Sequence, residues 1–161
     1  PTGSSAFIHP DGVYDDPKGG ALRGELYQRL RYHFQFANEL KLFAEVDHHT
    51  VYSLNVYVAP HNPKFDSIAN LYAVSTIDES YSTGATSPVP GIKDENGWCT
   101  VGHPGRILHI SKPVLLAFAK LFDGNTNWKE ARLPVVHADV LIKALERIAL
   151  KETTIGDARE S

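Results

Sequence analysis

Between residues 36 and 58 the chain alternates more regularly than anywhere else. Leu40, Leu42, Ala44 and Val46 alternate with Glu39, Lys41, Phe43 and Glu45. Beyond the polar stretch Asp47-His48-His49-Thr50, Tyr52, Leu54, Val56 and Val58 alternate with Val51, Ser53, Asn55 and Tyr57. A period of two, rich in aromatic and β-branched residues, predicts two strands, 40–46 and 51–58, joined by a short polar connection. Upstream, the apolar run 6–9 is stopped by Pro10-Asp11-Gly12, which predicts a buried strand ending in a turn. Residues 10–20 hold two prolines, three glycines and three aspartates and predict a loop. From 21 to 35, Leu22, Leu26, Leu30 and Phe34 recur every four residues, with Tyr27 widening the stripe, and predict a helix. Strand, crossover helix and strand suggest a βαβ unit with strands 6–10 and 40–46 parallel. The strands 40–46 and 51–58 then form an antiparallel pair at the sheet's edge, and Phe7, Leu42 and Leu54 should lie in a single sheet.

After Pro60 the pattern loosens. Ile68, Leu71 and Val74 predict one further strand within 65–73, and residues 75–105, rich in Ser, Thr, Gly and Pro, predict a long irregular connection. A brief apolar strand at 106–110 leads to a helix capped by Ser111, with Pro113 in its first turn and Asp123-Gly124 at its end. A last amphipathic helix covers 137–151, with Val140, Leu141, Leu145 and Ile148 on its buried side, and 153–161 reads as a frayed tail. The expected organisation is a sheet unit at 1–60, an irregular insertion at 61–105, a helical extension at 106–152 and the tail.

Composition adds limits. At 161 residues, 42% hydrophobic and 22% charged, the chain has the material for one globular core. A formal charge of −3 gives no global basic footprint for nucleic acid. The lone Cys99 excludes an internal disulfide and a multi-cysteine zinc site. No apolar run of membrane-spanning length and no signal peptide is evident, so a soluble, cytoplasmic protein with no membrane partner is the default expectation. The chain contains no methionine and opens Pro1-Thr2-Gly3, which suggests an excised segment of something longer.

Reactive-looking residues are few. Asp47-His48-His49, with His9 or Asp16 nearby, could bind a metal; adjacent histidines diverge on an extended chain, however, so a polar loop without metal is the plainer expectation. Glu39-Leu40-Lys41 on a predicted strand, with Asp16 upstream, has the layout of a metal-dependent nuclease site, but alternating charges on the wet face of a strand explain it equally. No phosphate-cradling glycine loop, Gly-x-Ser-x-Gly elbow or Cys/His nucleophile pair is present. Aromatic residues cluster near the organising strands (Tyr14, Tyr32, Phe34, Phe36, Phe43, Tyr52, Tyr57), where core packing competes with stacking on a base.

The run AFIHPDGVYDDPKGGALRGELYQRLRYHFQFANELKLFAEVDHHTVYSLNVY resembles the latter half of the catalytic domain of adenine-specific DNA methyltransferases, in particular the large enzymes of type IIG-like and phage-defence restriction–modification systems. The resemblance implies an α/β fold: the C-terminal portion of a Rossmann-like methyltransferase sheet with a mostly helical extension. In that family the strand after the catalytic loop (here 6–10) is followed by a helix (21–35) and two final strands (40–46, 51–58). The acidic-Gly-x-Gly cofactor loop and the Asn/Asp-Pro-Pro-Tyr/Phe loop have no counterpart here. The resemblance therefore implies that S-adenosylmethionine serves the parent protein without binding this piece, and that no catalytic residue lies in it. By position, Tyr52 or Tyr57, of opposite parity, with His9 and Pro10, would line the target-base pocket. Lys18, Arg23, Arg29, His48 and His49 would face double-stranded DNA, and the missing front half of the domain would be the other partner. The rival readings are a nuclease using Asp16, Glu39 and Lys41, and a non-enzymatic DNA- or protein-binding module.

Overall fold

The computed structural model describes residues 3–82, 84 and 86–151. Strand β1 (Ser5–Pro10) leaves through two 3-10 turns, Asp11–Tyr14 and Pro17–Gly19, into helix α1 (Gly20–Tyr27). β2 (Leu30–Ala37) ends in a 3-10 turn, Asn38–Leu40, which opens a long loop to β3 (Val51–Tyr57). Then come β4 (Lys64–Leu71), α2 (Ser75–Ser82) and a small hairpin of β5 (Lys93–Asp94) and β6 (Gly97–Trp98). A 3-10 turn, Pro104–Arg106, precedes β7 (Leu108–Ser111), α3 (Lys112–Phe122) and α4 (Asp139–Ala149). The main sheet has the order β1-β3-β2-β4-β7; only β2 and β4 are parallel neighbours. The described residues form a mixed α/β fold, with a mostly antiparallel five-stranded sheet and four helices.

The organising strand pair is real but displaced by one element. The helix expected over 21–35 ends at Tyr27, and Leu30–Ala37 is the strand that pairs with β3. Leu22, Leu26, Leu30 and Phe34 misled because a spacing of four satisfies both a helix near 3.6 and a strand at 2. The alternating stretch 40–46 is loop: Lys41 adopts a left-handed backbone (φ 51°), and the Asn38 side chain bonds Phe43 N, Phe43 O and Val46 O, holding the backbone away from any ladder. Leu42 is thus outside the sheet, and the expected side-by-side array of Phe7, Leu42 and Leu54 is not formed. Phe34 occupies the place expected of it, opposite Leu54, while Ile8 flanks Leu54 from the other side. β1 and β2 do run parallel to each other, but β3 is inserted antiparallel between them instead of lying at the edge.

The later segments also contribute to this sheet. β4 and β7 extend it, so 61–105 and 106–152 each supply a strand, and residues 75–82 of the expected irregular connection form α2. On α4, Ile142 and Ala149 are buried and Leu145 packs against the core as expected, whereas Val140, Leu141 and Ile148 of the expected face are exposed. The apolar arc of this helix, opposite Asp139, Lys143, Glu146 and Arg147, spans more than half of its circumference, so periodicity alone leaves open which part of the arc is buried. The tail 153–161 lies outside the described residues.

The two faces of the sheet are covered differently. One carries Phe34, Phe36, Tyr52, Ile68 and Leu71, with Tyr32, Leu54 and Ile77 packed against them. The other packs Leu30, Phe65, Leu108 and Ile110 against Tyr27 of α1, Leu115 and Phe118 of α3 and Ile142 of α4. Toward β1 and β3 this second face turns polar, with His33, Gln35, Ser53, Asn55 and Ser67 all buried. A strap at 129–133 crosses α1 at close range: a Cβ on Gly20 would meet Glu130 Cγ at 2.9 Å, and one on Gly24 would meet Lys129 Cβ at 3.1 Å. Tyr27 donates to Ala131 O (2.7 Å), Arg23 donates to Glu130 O (2.7 Å), and Leu133 N donates to Tyr14 O (3.0 Å).

Candidate functional site

β1 is the edge of the sheet, and the strand expected to be buried is exposed along nearly its whole length; Phe7 is 57% and Ile8 56% exposed. Apolar residues pointing to both faces of an uncovered edge strand are unusual in a finished sheet. Each face beside β1 holds a cavity. The first, about 430 Å³, is lined by Phe7, His9, Val13, Leu22, Leu26 and Tyr57 among others. The second, about 250 Å³, lies between Ile8, Phe36, Phe43, Tyr52, Leu54 and Ile77 on the opposite face. Tyr57 and Tyr52 therefore fall on opposite sides, as their parity requires, and the four expected pocket residues do not share one site. Pro10 is paired with Tyr52 across the β1–β3 ladder, whereas His9 turns toward Tyr57.

The second cavity has the stronger aromatic character. Tyr52 is buried, stacked on Phe36 at 5.4 Å with planes 6° apart and met edge-on by Phe43 at 5.1 Å. Burial raises the Tyr52 phenol above its ordinary pKa, so it stays neutral. Phe43, 42% exposed, is the ring a ligand can reach, and Leu40, Leu42 and Val46 on the same loop are exposed beside it. The sequence places Phe43 on a strand and counts it among the aromatics able to stack on a base, without singling it out for the pocket. What makes it available is the loop 38–50, held by the fully buried Asn38, whose Nδ2 donates to the carbonyls of Phe43 (2.9 Å), Val46 (2.9 Å) and Asp47 (3.3 Å). The pocket sits where β1 and β2 end and β3 begins, the carboxyl end of the two parallel-running strands.

The polar half of the opposite face is a closed network. His33 Nε2 donates to Asp11 Oδ1 (3.0 Å), Gln35 Nε2 donates to Asp11 Oδ2 (2.6 Å), and His33 Nδ1 meets Ser67 Oγ at 2.9 Å. Burial alone would raise the Asp11 pKa; the bond from His33, its charge, and the bonds from Gln35 and Ser53 overcome this and hold it below the usual carboxylate range. Tyr14 donates to Asn55 Oδ1 (2.6 Å), and Asn55 Nδ2 donates to His9 Nε2 (3.0 Å). With Nε2 accepting, His9 donates through Nδ1 to Pro10 O (3.0 Å). Burial pushes the Tyr14 hydroxyl far above its ordinary value. Ser67, His33 and Asp11 form a Ser–His–Asp line, but Ser67 and His33 are 3% and 2% exposed, so the line ties β4 and β2 to the turn after β1 and admits no substrate.

The expected DNA-facing residues separate. Lys18 is exposed on the connection leaving the carboxyl end of β1, and His48 and His49 are exposed on the 38–50 loop. Arg29 precedes β2 at the other end and is engaged by Glu25 (2.7 Å). Arg23 drops out of the set: it is 2% exposed, and its guanidinium donates to the carbonyls of Val13, Asp16 and Glu130. The nuclease layout loses its strand, because Glu39 lies in a 3-10 turn and Lys41 in a left-handed conformation, while Asp16 caps the Pro17–Gly19 turn through Lys18 N. Among the described residues no helix is long and apolar enough to cross a membrane. Compared with family models, with curated proteins and with solved structures, the chain matches none.

Proposed function

We propose that the chain is the closing part of the catalytic domain of an S-adenosylmethionine-dependent DNA adenine methyltransferase of a restriction or phage-defence system, and that it supplies one wall of the target-base pocket. The observation that carries this reading is the unfinished sheet. β1 and β2 run parallel around a crossover helix, β3 lies antiparallel between them, and among the described residues nothing pairs with the outer edge of β1, which carries apolar side chains on both faces. A front half of the sheet would pair with that edge and bury Phe7 and Ile8. The resemblance noted above expects such a front half, with the cofactor and catalytic loops on it.

The chemistry of the aromatic pocket is consistent with this role. A base taken out of a duplex costs a few kcal/mol to unstack, and stacking on an aromatic ring returns about 1–3 kcal/mol. Phe43 offers that face, with Tyr52 and Phe36 holding it from behind. The pocket is apolar, so hydrogen bonds to the adenine amino group have to come from outside this chain. The larger cavity beside β1 does not suit S-adenosylmethionine: it is lined by apolar residues, Ser5, His9, Arg29 and Tyr57, with no carboxylate to hold ribose hydroxyls.

The test is methyl transfer by the complete gene product to DNA, followed with labelled S-adenosylmethionine. Phe43→Ala is expected to lower kcat/KM about 5- to 150-fold, the loss of about 1–3 kcal/mol of stacking, while Phe43→Trp retains most of it. Methylation untouched by Phe43→Ala, or no methylation by the complete protein, ends this reading. A second reading rests on the same open edge: a non-enzymatic module that captures a partner strand along β1. It predicts partner binding that needs neither cofactor nor Phe43.

A further inference from the structure

The loop that carries Phe43 also brings three metal-ligating side chains together. Adjacent histidines diverge on an extended chain, but His48 and His49 sit in a turn: Thr50 N donates to Asp47 O (3.0 Å), and His49 N donates to Asp47 Oδ1 (2.8 Å). The turn sets the two imidazoles side by side, with ring centroids 3.8 Å apart. Glu39, from the other end of the loop and with a side chain only 20% exposed, reaches the same place. The ligand atoms of Glu39, His48 and His49 all lie within 4.8 Å of one another. His49 Nδ1 and Glu39 Oε1 are 3.4 Å apart, long for a charge-assisted hydrogen bond. It is close to the ~3.3 Å that separates two donors on a tetrahedral ion with bonds near 2.0 Å.

We propose that Glu39, His48 and His49 form a site for a divalent transition-metal ion of the zinc class, which clamps the loop 38–50 by joining its two ends. Two imidazoles and one carboxylate favour Zn²⁺, Co²⁺ or Ni²⁺ over Mg²⁺ and Ca²⁺, which take oxygen ligands. Three protein ligands leave a tetrahedral ion one position for water. The donors are already nearly assembled. Asn38 fixes the loop from inside, and His48, fully on the surface, closes the set by rotating its side chain. Because Phe43 lies within the clamped loop, metal binding would stiffen the accessible wall of the aromatic pocket. The site stands on its own geometry and does not depend on the methyltransferase reading.

The experiment uses the chelator-treated 161-residue chain, titrated with Co²⁺ and followed by its visible absorption, then back-titrated with Zn²⁺. The expected result is one Co²⁺ per chain with the intense absorption of a four-coordinate ion, displaced by one equivalent of Zn²⁺. His48→Ala, His49→Ala and the near-isosteric Glu39→Gln should each weaken binding at least ten-fold, with unchanged circular dichroism, and His61→Ala should leave it unchanged. Absence of stoichiometric binding, or binding that survives the double substitution His48→Ala/His49→Ala, overturns the proposal.

Discussion

Replacing Asn38 by alanine would strip the loop 38–50 of the carboxamide that both donates to and accepts from its backbone. The backbone carbonyls of Phe43 and Val46 and the Phe43 N–H would lose partners in a place where water is poorly placed to substitute. Net values near 1 kcal/mol per bond, plus the cost of unsatisfied groups, predict a loss of about 2–3 kcal/mol for Asn38→Ala, measurable by urea denaturation. Asn38→Asp should cost at least as much, because a carboxylate cannot donate to three carbonyls. At this scale the sequence concealed its most consequential residues. Nothing in a lone asparagine before Glu-Leu-Lys distinguishes a loop hub from a surface side chain, and Arg23 reads as helix charge until its carbonyl partners come into view.

At the scale of elements, the open edge of β1 carries the clearest prediction. An apolar edge strand pairs with whatever strand it meets, including the same strand of another copy. The chain should therefore self-associate at high concentration, and Phe7→Lys with Ile8→Lys should suppress this in analytical ultracentrifugation while changing stability by less than about 1 kcal/mol. β1 was legible because Pro10-Asp11-Gly12 marks its end, and β3 because Tyr52, Leu54 and Val56 alternate without interruption. α3 was legible from Pro113 and Asp123-Gly124 at its two ends. β2 was not, since the leucine spacing that continues into Phe34 fits helix and strand alike. The alternation at 40–46 deceived for a different reason: local side-chain bonds from Asn38 outcompete a ladder that the rest of the sheet does not offer there. The aromatic pocket was half legible, with Tyr52 singled out and Phe43 only counted among the clustered aromatics.

For the molecule as a whole, the buried network around Asp11 ties β1, β2, β3 and β4 together and makes stability depend on pH. The folded-state pKa of Asp11 lies below its ordinary value. Its stabilisation is therefore complete above the unfolded carboxylate's value, near ~4, and is lost as pH falls through the lower folded value. Asp11→Asn should cost about 2–3 kcal/mol near neutral pH, the worth of hydrogen bonds to a charged group. The gap between wild type and variant should narrow in denaturation curves recorded below about pH 4. A gap that stays constant into acid would show that the carboxylate's charge is not what the network uses.

The strap at 129–133 bears on how such a chain can be divided. Gly20 and Gly24 have no side chains where Glu130 and Lys129 lie against the crossover helix, and Tyr27 finds its acceptor, and Arg23 one of its three, on that late segment. The first sixty residues are consequently not a portable unit, even though the organising strands lie within them. A recombination that exchanged the back of this protein for another's would have to bring along a segment able to lie against two bare glycines. The boundary at which such a chain can trade parts is thus expected downstream of residue 133, well past the last strand of the sheet.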